Sequence, residues 1–290
     1  MKKKKIQLFD VIIHVITAFL LILVLYPVLL VISNSFSDPG LVATGKVLFL
    51  PKGFNLDGYV EFFKDKNILI GYGNTIFYTV VGTIIDLVVT VPAGYAISKS
   101  SLPGKKFIIM LFMFIMYFSG GMIPTFLVVS KLGLYNSRWT LLLLGAFSTY
   151  NCIICKSFFE AIPKDLEEAA QLDGCSPMRT FVQVILPISK ALLGVMVLYF
   201  GVAHWNSYFN ALIYLKDDVK QPLQIFLRRL LVLAQQAETD VTGEFDEAMI
   251  FREALLRYSS IVVSSLPLMI IYPFLQRYFD KGVLIGAVKQ

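Results

Sequence analysis

Six apolar runs, each close to the length of a bilayer-crossing helix, restrict this chain to one kind of surrounding. They centre on residues 11–32, 72–97, 107–129, 139–158, 188–213 and 258–275. Lipid offers no partner to a backbone N–H or C=O, so each run must close its own hydrogen bonds, and the α-helix does this within one segment. A water-soluble core of 290 residues has no room for all six, and 57% hydrophobic against 16% charged residues and a mean hydropathy of +0.71 agree with that. The expected fold is all-α: a polytopic membrane protein with six transmembrane helices in a single domain, residues 1–290.

Charge sets the expected orientation. Lys2, Lys3, Lys4 and Lys5 precede the first run, which is too long for a signal peptide and meets Ser33-Asn34-Ser35-Phe36 without a small-x-small cleavage pattern. It is therefore expected to stay as an anchor, with the amino terminus in the cytoplasm by the positive-inside tendency. Alternation then puts Lys99, Lys105 and Lys106 inside, together with a tail carrying Arg277, Lys281 and Lys289, so both termini are cytoplasmic. Arg228, Arg229, Arg252 and Arg257 fall on the outer side, where a long loop carries little weight in orientation. The net charge of +6 is thus an orientation signal and not a nucleic-acid footprint.

This topology leaves one long cytoplasmic loop, residues 160–187, and its composition is unlike the rest of the chain. Pro163-Lys164-Asp165-Leu166-Glu167-Glu168-Ala169-Ala170-Gln171-Leu172 opens with a proline and acidic residues, as a helix start does. Asp173-Gly174 reads as its stop, and Ser176-Pro177 as the start of a second short helix. A generic acidic loop is a solvated connector. Here Glu168-Ala169-Ala170, then Gly174, then Val184, Leu186 and Pro187 resemble the EAA signature of binding-protein-dependent ABC importer permeases, with Val184 in place of the usual Ile. "AGYAIS" at residues 93–98 and the six-run core resemble the same family.

The resemblance implies a type I ABC importer permease fold in a bacterial cytoplasmic membrane. Glu167, Glu168, Ala169, Ala170, Asp173, Gly174 and Pro187 would couple the chain to ATPase subunits: small alanines admit a close partner, Gly174 a sharp turn, and Glu168 a charge. The implied partners are a second permease subunit, two ABC ATPase subunits that carry ATP and magnesium, and an extracytoplasmic solute-binding protein. No cofactor is expected on this chain. Gly40-Leu41-Val42-Ala43-Thr44-Gly45-Lys46-Val47 matches the glycines and lysine of a P-loop, but Val47 cannot ligate magnesium and the stretch falls on the outer side. Cys152-Ile153-Ile154-Cys155 lies in an apolar run with no second pair to complete a metal shell, so it reads as packing, and no disulfide is expected.

Polar residues inside the runs are candidates for the substrate pathway, because lipid penalises them. In His204-Trp205-Asn206-Ser207-Tyr208-Phe209-Asn210, Asn206 and Asn210 are spaced to share a helical face, and amides beside Trp205 and Tyr208 suit a sugar, whose hydroxyl pairs and flat apolar faces they match. Packing between helices is the competing reading. "WN" here resembles the carbohydrate branch of the family, which implies a sugar substrate. Tyr117, Ser119, Gly120, Gly121 and Pro124 break the third run and border the same pathway. Asp86, with Thr83 and Thr90 near it, is either a hydrogen-bonding group between helices or a proton relay. With His204 it would serve the alternative function, a proton-coupled secondary transporter. A polytopic membrane enzyme is the remaining class, and His14 and His204, far apart and without a ligand cluster, give it little support.

Overall fold

The computed structural model describes residues 8–239, 256–274 and 276, and every regular element among them is helical. In chain order these are α1 (Leu8–Ser35), α2 (Pro39–Ala43), α3 (Asp57–Lys64), α4 (Lys66–Ser98), α5 (Lys105–Tyr117), α6 (Met122–Lys131), α7 (Arg138–Leu143), α8 (Thr149–Glu160), α9 (Asp165–Leu172) and α10 (Pro177–Thr180). A π-helical segment, Phe181–Ile185, leads into α11 (Leu186–Ile188), α12 (Lys190–Trp205), α13 (Phe209–Tyr214), a 3₁₀ turn at Asp218–Lys220, α14 (Leu223–Thr239) and α15 (Leu256–Phe274). The N-terminal lysines, most of residues 238–253 and the basic tail lie outside the described residues.

Among the described residues three helices, α1, α4 and α15, are long and apolar enough to cross a membrane unbroken, and counting each bent pair as one span raises the number to five. The pairs are α5 with α6, bent by 111°, and Pro177–Ile188 with α12, bent by 83°. Ser119, Gly120 and Gly121 supply the first break, and Gly121 sits at φ +88°, where a side chain is disfavoured. Two expected runs are divided instead of continuous. Residues 139–158 separate into α7 and α8 because Gly145 weakens the helix and the Ser148 hydroxyl caps the next one, accepting from Asn151 N–H at 3.3 Å. Residues 188–213 separate at Asn206, the C-cap of α12.

The chain forms two compact units, one drawn from residues up to Ile68 with Phe226–Pro267, the other from Leu69–Ile225 with residues from Leu268 on. In the first unit the most apolar stretch of α1 buries none of itself against the chain, so lipid or another subunit must cover it. Beyond its end the residues fold back on themselves. The Ser33 hydroxyl donates to the Phe49 carbonyl at 2.7 Å, Tyr59 to the Ser35 hydroxyl at 2.8 Å, and the Phe36 ring stacks on Tyr59 with centroids 5.2 Å apart. Asp38 caps α2, so the P-loop-like stretch is a capped helical turn.

In the second unit α4 is the central element. Val91 of α4 joins Cys155 and Phe159 of α8, Phe181 and Ile185 of the π segment, and Leu192, Met196 and Phe200 of α12 in one buried cluster. A second cluster brings Tyr78 to Leu141, Leu142, Ala211, Leu215 and Ile225. Helices in lipid gain little from apolar burial and depend on close fit, which small residues allow. Gly94 provides it: a Cβ there would lie 2.4 Å from Cys155 Cβ and 3.1 Å from the Cys152 carbonyl. The C-x-x-C pair is therefore the wall that α4 packs against, both thiols being free and buried. Gly94→Val is expected to cost about 1–3 kcal/mol by overpacking, partly relieved by Cys155→Gly, as thermal unfolding in detergent would measure.

Candidate functional site

The loop after α8 folds as its residues direct. α9 carries Asp165, Glu167 and Glu168 in its first turn and ends in a Schellman motif: Cys175 N–H donates to the Ala170 carbonyl at 2.9 Å and Gly174 N–H to the Gln171 carbonyl at 3.0 Å. Asp173 is the C-cap, and Gly174 takes φ +77°. The Ser176 hydroxyl accepts from Arg179 N–H at 3.3 Å and Pro177 occupies the first turn of α10, so the second short helix begins at Ser176-Pro177. Pro187 cannot donate to a carbonyl one turn back. The wide π turn precedes it, Ser189 leaves the helical conformation, and the 83° bend follows before α12.

Ala170 is buried, whereas Glu168, Ala169, Asp173 and Gly174 are exposed. Leu172 is 90% exposed and Leu166 and Met178 are exposed as well, so an otherwise polar tip presents apolar side chains outward. Glu167 turns the other way and pairs with Lys99, whose ammonium lies 3.8 Å from the centre of the Tyr95 ring. Beside it, Glu160 accepts from Lys156 at 2.7 Å and Lys105 at 3.0 Å. The hydrogen bond from Lys156, then that from Lys105, holds the Glu160 carboxyl below its ordinary range. This clip is accordingly complete above the usual carboxylate range and is lost only as pH falls through the lowered value.

At the other end of α4, the Asn74 amide donates to the Val219 and Gln221 carbonyls at 2.7 and 3.0 Å, the Tyr78 hydroxyl donates to the Lys220 carbonyl at 2.7 Å, and Arg138 donates to Asn74 Oδ1 at 3.1 Å. Asn136, at φ +58°, accepts from Lys216 and Asp217 N–H and donates to the Asp217 carboxylate. The segment after α13 is thereby stapled to α4. Between the two ends, Asp86 Oδ2 lies 2.8 Å from His204 Nε2, with Asp86 only 2% exposed. Gly82 makes room for the imidazole, since a Cβ there would lie 2.5 Å from it.

Residues 68–285 match the family described as binding-protein-dependent transport system inner membrane component. The chain belongs to that family. It is 40% identical over 263 residues to Protein LplC of Bacillus subtilis (strain 168), covering 91% of this chain and 88% of the relative. It is 36% identical over 285 residues to the polygalacturonan/rhamnogalacturonan transport system permease protein YtcP of the same organism, covering 98% and 99%. A solved bacterial ABC transporter involved in import of the acidic polysaccharide alginate superposes with a TM-score of 0.84 at 33% identity, covering 96% of this chain and 100% of that one. This binding-protein-dependent permease is thus a non-catalytic membrane component of an ABC transport system. Among its described residues no group of three or more His, Cys, Asp or Glu is placed to hold a metal ion.

The permease's candidate pathway residues separate into two sets. Asn206, Tyr208 and Asn210 are exposed around the break between α12 and α13, and Tyr117 is 84% exposed at the end of α5. Asn206 and Asn210 do not share a helical face as their spacing suggests, because α12 stops at Trp205 with Asn206 as its C-cap, and Asn210 lies in α13. Trp205 is 4% exposed, edge-on to Tyr72 at 5.9 Å, and its carbonyl accepts from the Gln224 amide at 3.3 Å. Asp86 is closed off against His204. In this conformation Trp205 and Asp86 therefore brace the break and do not line an open surface. From sequence, Lys99 carries only an orientation role, Gly94 only a place in the family-like segment 93–98, and Gly82 none. Gly82, Asp86, Thr90 and Gly94 recur every four residues on α4, a small-and-polar stripe that marks an interhelical face.

Proposed function

We propose that this chain is the permease subunit of an ATP-driven importer that moves an oligosaccharide delivered by an extracytoplasmic binding protein. It forms one transmembrane domain with cytoplasmic termini and works with a second permease subunit and two ATPase subunits on separate chains, which hold ATP and magnesium. The observation that carries the reading is the tip of the loop 160–187: an eight-residue acidic helix, closed by a Schellman motif, with Leu172 90% exposed beside exposed Leu166 and Met178. An apolar tip on a polar helix matches a groove on a soluble partner, in the manner of helix-in-groove docking. Glu168, Ala169 and Gly174 belong to that face, and Glu167, Ala170, Asp173 and Pro187 fix its shape.

Sugar is the substrate class because relatives of this chain are named for oligosaccharide and polysaccharide transport. Asn206, Tyr208 and Asn210, with Tyr117, are its pathway groups. Irregular backbone at membrane depth occurs where it lines a cavity, and the break at Asn206 has that character. Although Asp86 and His204 meet, as a proton-coupled carrier would need, membership of a binding-protein-dependent family favours ATP as the energy source.

The reading is tested in vesicles holding the permease pair, the ATPase and the binding protein, with a panel of neutral and uronate-containing oligosaccharides. One of them should stimulate ATP hydrolysis and accumulate in the vesicle, and if none does both, the reading fails. Asn206→Ala should then raise the half-saturating sugar concentration about fivefold to 150-fold, as expected for about 1–3 kcal/mol from an unpaired hydroxyl. An unchanged sugar dependence would make Asn206 a cap and nothing more.

A further inference from the structure

We infer that Lys99 is a positioning residue of energy coupling: it ties the α9 helix to the end of α4, so that displacement of α9 moves α4. The inference rests on the coupling reading of the loop 160–187. The chain itself connects α9 backward to α8 and forward to α10; its link to α4 is made by side chains. Lys99 follows the last residue of α4, and its ammonium pairs with Glu167 Oε1 in the first turn of α9.

Three further features distinguish this pair from an ordinary surface ion pair, which holds its partners only weakly. Both side chains are largely covered, 28% exposed for Lys99 and 19% for Glu167, so solvent screens the pair less. The same ammonium lies 3.8 Å from the Tyr95 ring centre, one helical turn back on α4, which fixes the lysine from a second side. Tyr95 in turn contacts Phe181 at 4.6 Å and Phe159 at 5.4 Å between ring centroids, so the anchorage runs into the buried cluster shared by α4, α8 and the π segment. Lys105 provides an internal comparison. It donates to the Ser98 carbonyl and pairs with Glu160 at the end of α8, clipping the same end of α4 without touching α9.

α4 also reaches the candidate pathway. Asp86 lies 13 residues before Lys99, about 20 Å along the helix. Its partner His204 is two residues before Asn206. A push on α9 therefore has a contiguous route through Lys99, α4 and the Asp86–His204 contact to the break in α12.

The test uses the assembled transporter in lipid vesicles and reads ATP hydrolysed per sugar accumulated, with ATPase retention on the permease measured in parallel. Lys99→Met keeps the apolar stem over Tyr95 and removes only the charge. It should retain the ATPase and raise the ATP-to-sugar ratio by about tenfold, a usual size for coupling between sites. Lys105→Met, the comparison clip, should leave the ratio near the unaltered value. Lys99→Glu combined with Glu167→Lys should recover most of the coupling that either change alone removes. A normal ratio in Lys99→Met overturns the inference, as does a charge swap no better than the single changes. If Lys99→Met does not assemble, Lys99→Arg and the charge swap decide: coupling in both supports the tie, and failure of the swap in an assembled complex overturns it. Failure of the underlying reading looks different, since the unaltered complex would then show no sugar-stimulated hydrolysis at all.

Discussion

His204→Ala is expected to be among the most damaging single changes in this chain, costing the folded state about 3–5 kcal/mol, because it strands the buried Asp86 carboxylate. Asp86 is 2% exposed, its Oδ2 meets His204 Nε2 at 2.8 Å, and its other oxygen has no hydrogen-bond partner among the described residues. The imidazole is packed closely there, since a Cβ at Gly82 would lie 2.5 Å from it. Asp86→Asn should cost much less. It removes the charge but keeps a hydrogen-bonding group, and a neutral hydrogen bond between membrane helices averages about 0.6 kcal/mol. The decisive comparison is the double change. With Asp86→Asn already present, His204→Ala no longer leaves a charge unpaired, so the double variant should be more stable than His204→Ala alone. Thermal unfolding of the four proteins in detergent measures this. Equal losses for the two single changes that add simply in the double would mean that Asp86 and His204 do not stabilise the fold through each other.

Local signals in the sequence were read at the places where local chemistry decides the structure. Asp173-Gly174 stops a helix because the Schellman closure needs a left-handed residue, and Ser176-Pro177 starts one because hydroxyl and proline satisfy its first turn. Ser119-Gly120-Gly121 interrupts the third run for the same kind of reason. The division of two other runs was hidden because apolar residues on both sides of Gly145 and of Asn206 suit lipid whether or not the helix continues. An asparagine in such a run reads as packing or sugar binding, and here Asn206 first ends a helix. The tertiary pairs were illegible for another reason. Asp86 and His204, joined in sequence only by the proton-coupled alternative, are 118 residues apart, and Lys99 and Glu167, each with a sufficient local explanation, are 68 apart. Lys99 passed as an orientation signal because a lysine beside an apolar run does that work whether or not it also grips a neighbour.

Substitutions at Gly174 should abolish transport in an order set by backbone conformation and not by bulk. A Cβ built there meets nothing within 4 Å, so the chain leaves space for any side chain. The constraint is φ +77°, which costs an L-residue about 1–2 kcal/mol, more when the side chain branches at Cβ and less for asparagine. α9 has eight residues, too few to persist alone, and its last turn is held by the Ala170 and Gln171 carbonyls that this conformation closes. A loss of about 2 kcal/mol would thus lower the population of the closed turn about thirtyfold and misplace Leu172, the most exposed apolar side chain of the tip. The buried cluster of α4, α8 and α12 is untouched, so thermal stability in detergent and capture of the loaded binding protein should persist while uptake falls. Uptake should decline from Gly through Asn and Ala to Val. If Asn and Val are equally inactive, the size of the side chain against the ATPase decides and the left-handed turn does not. If Val transports as well as Gly, this turn has no part in coupling, and the tip must dock through Leu166 and Met178 alone.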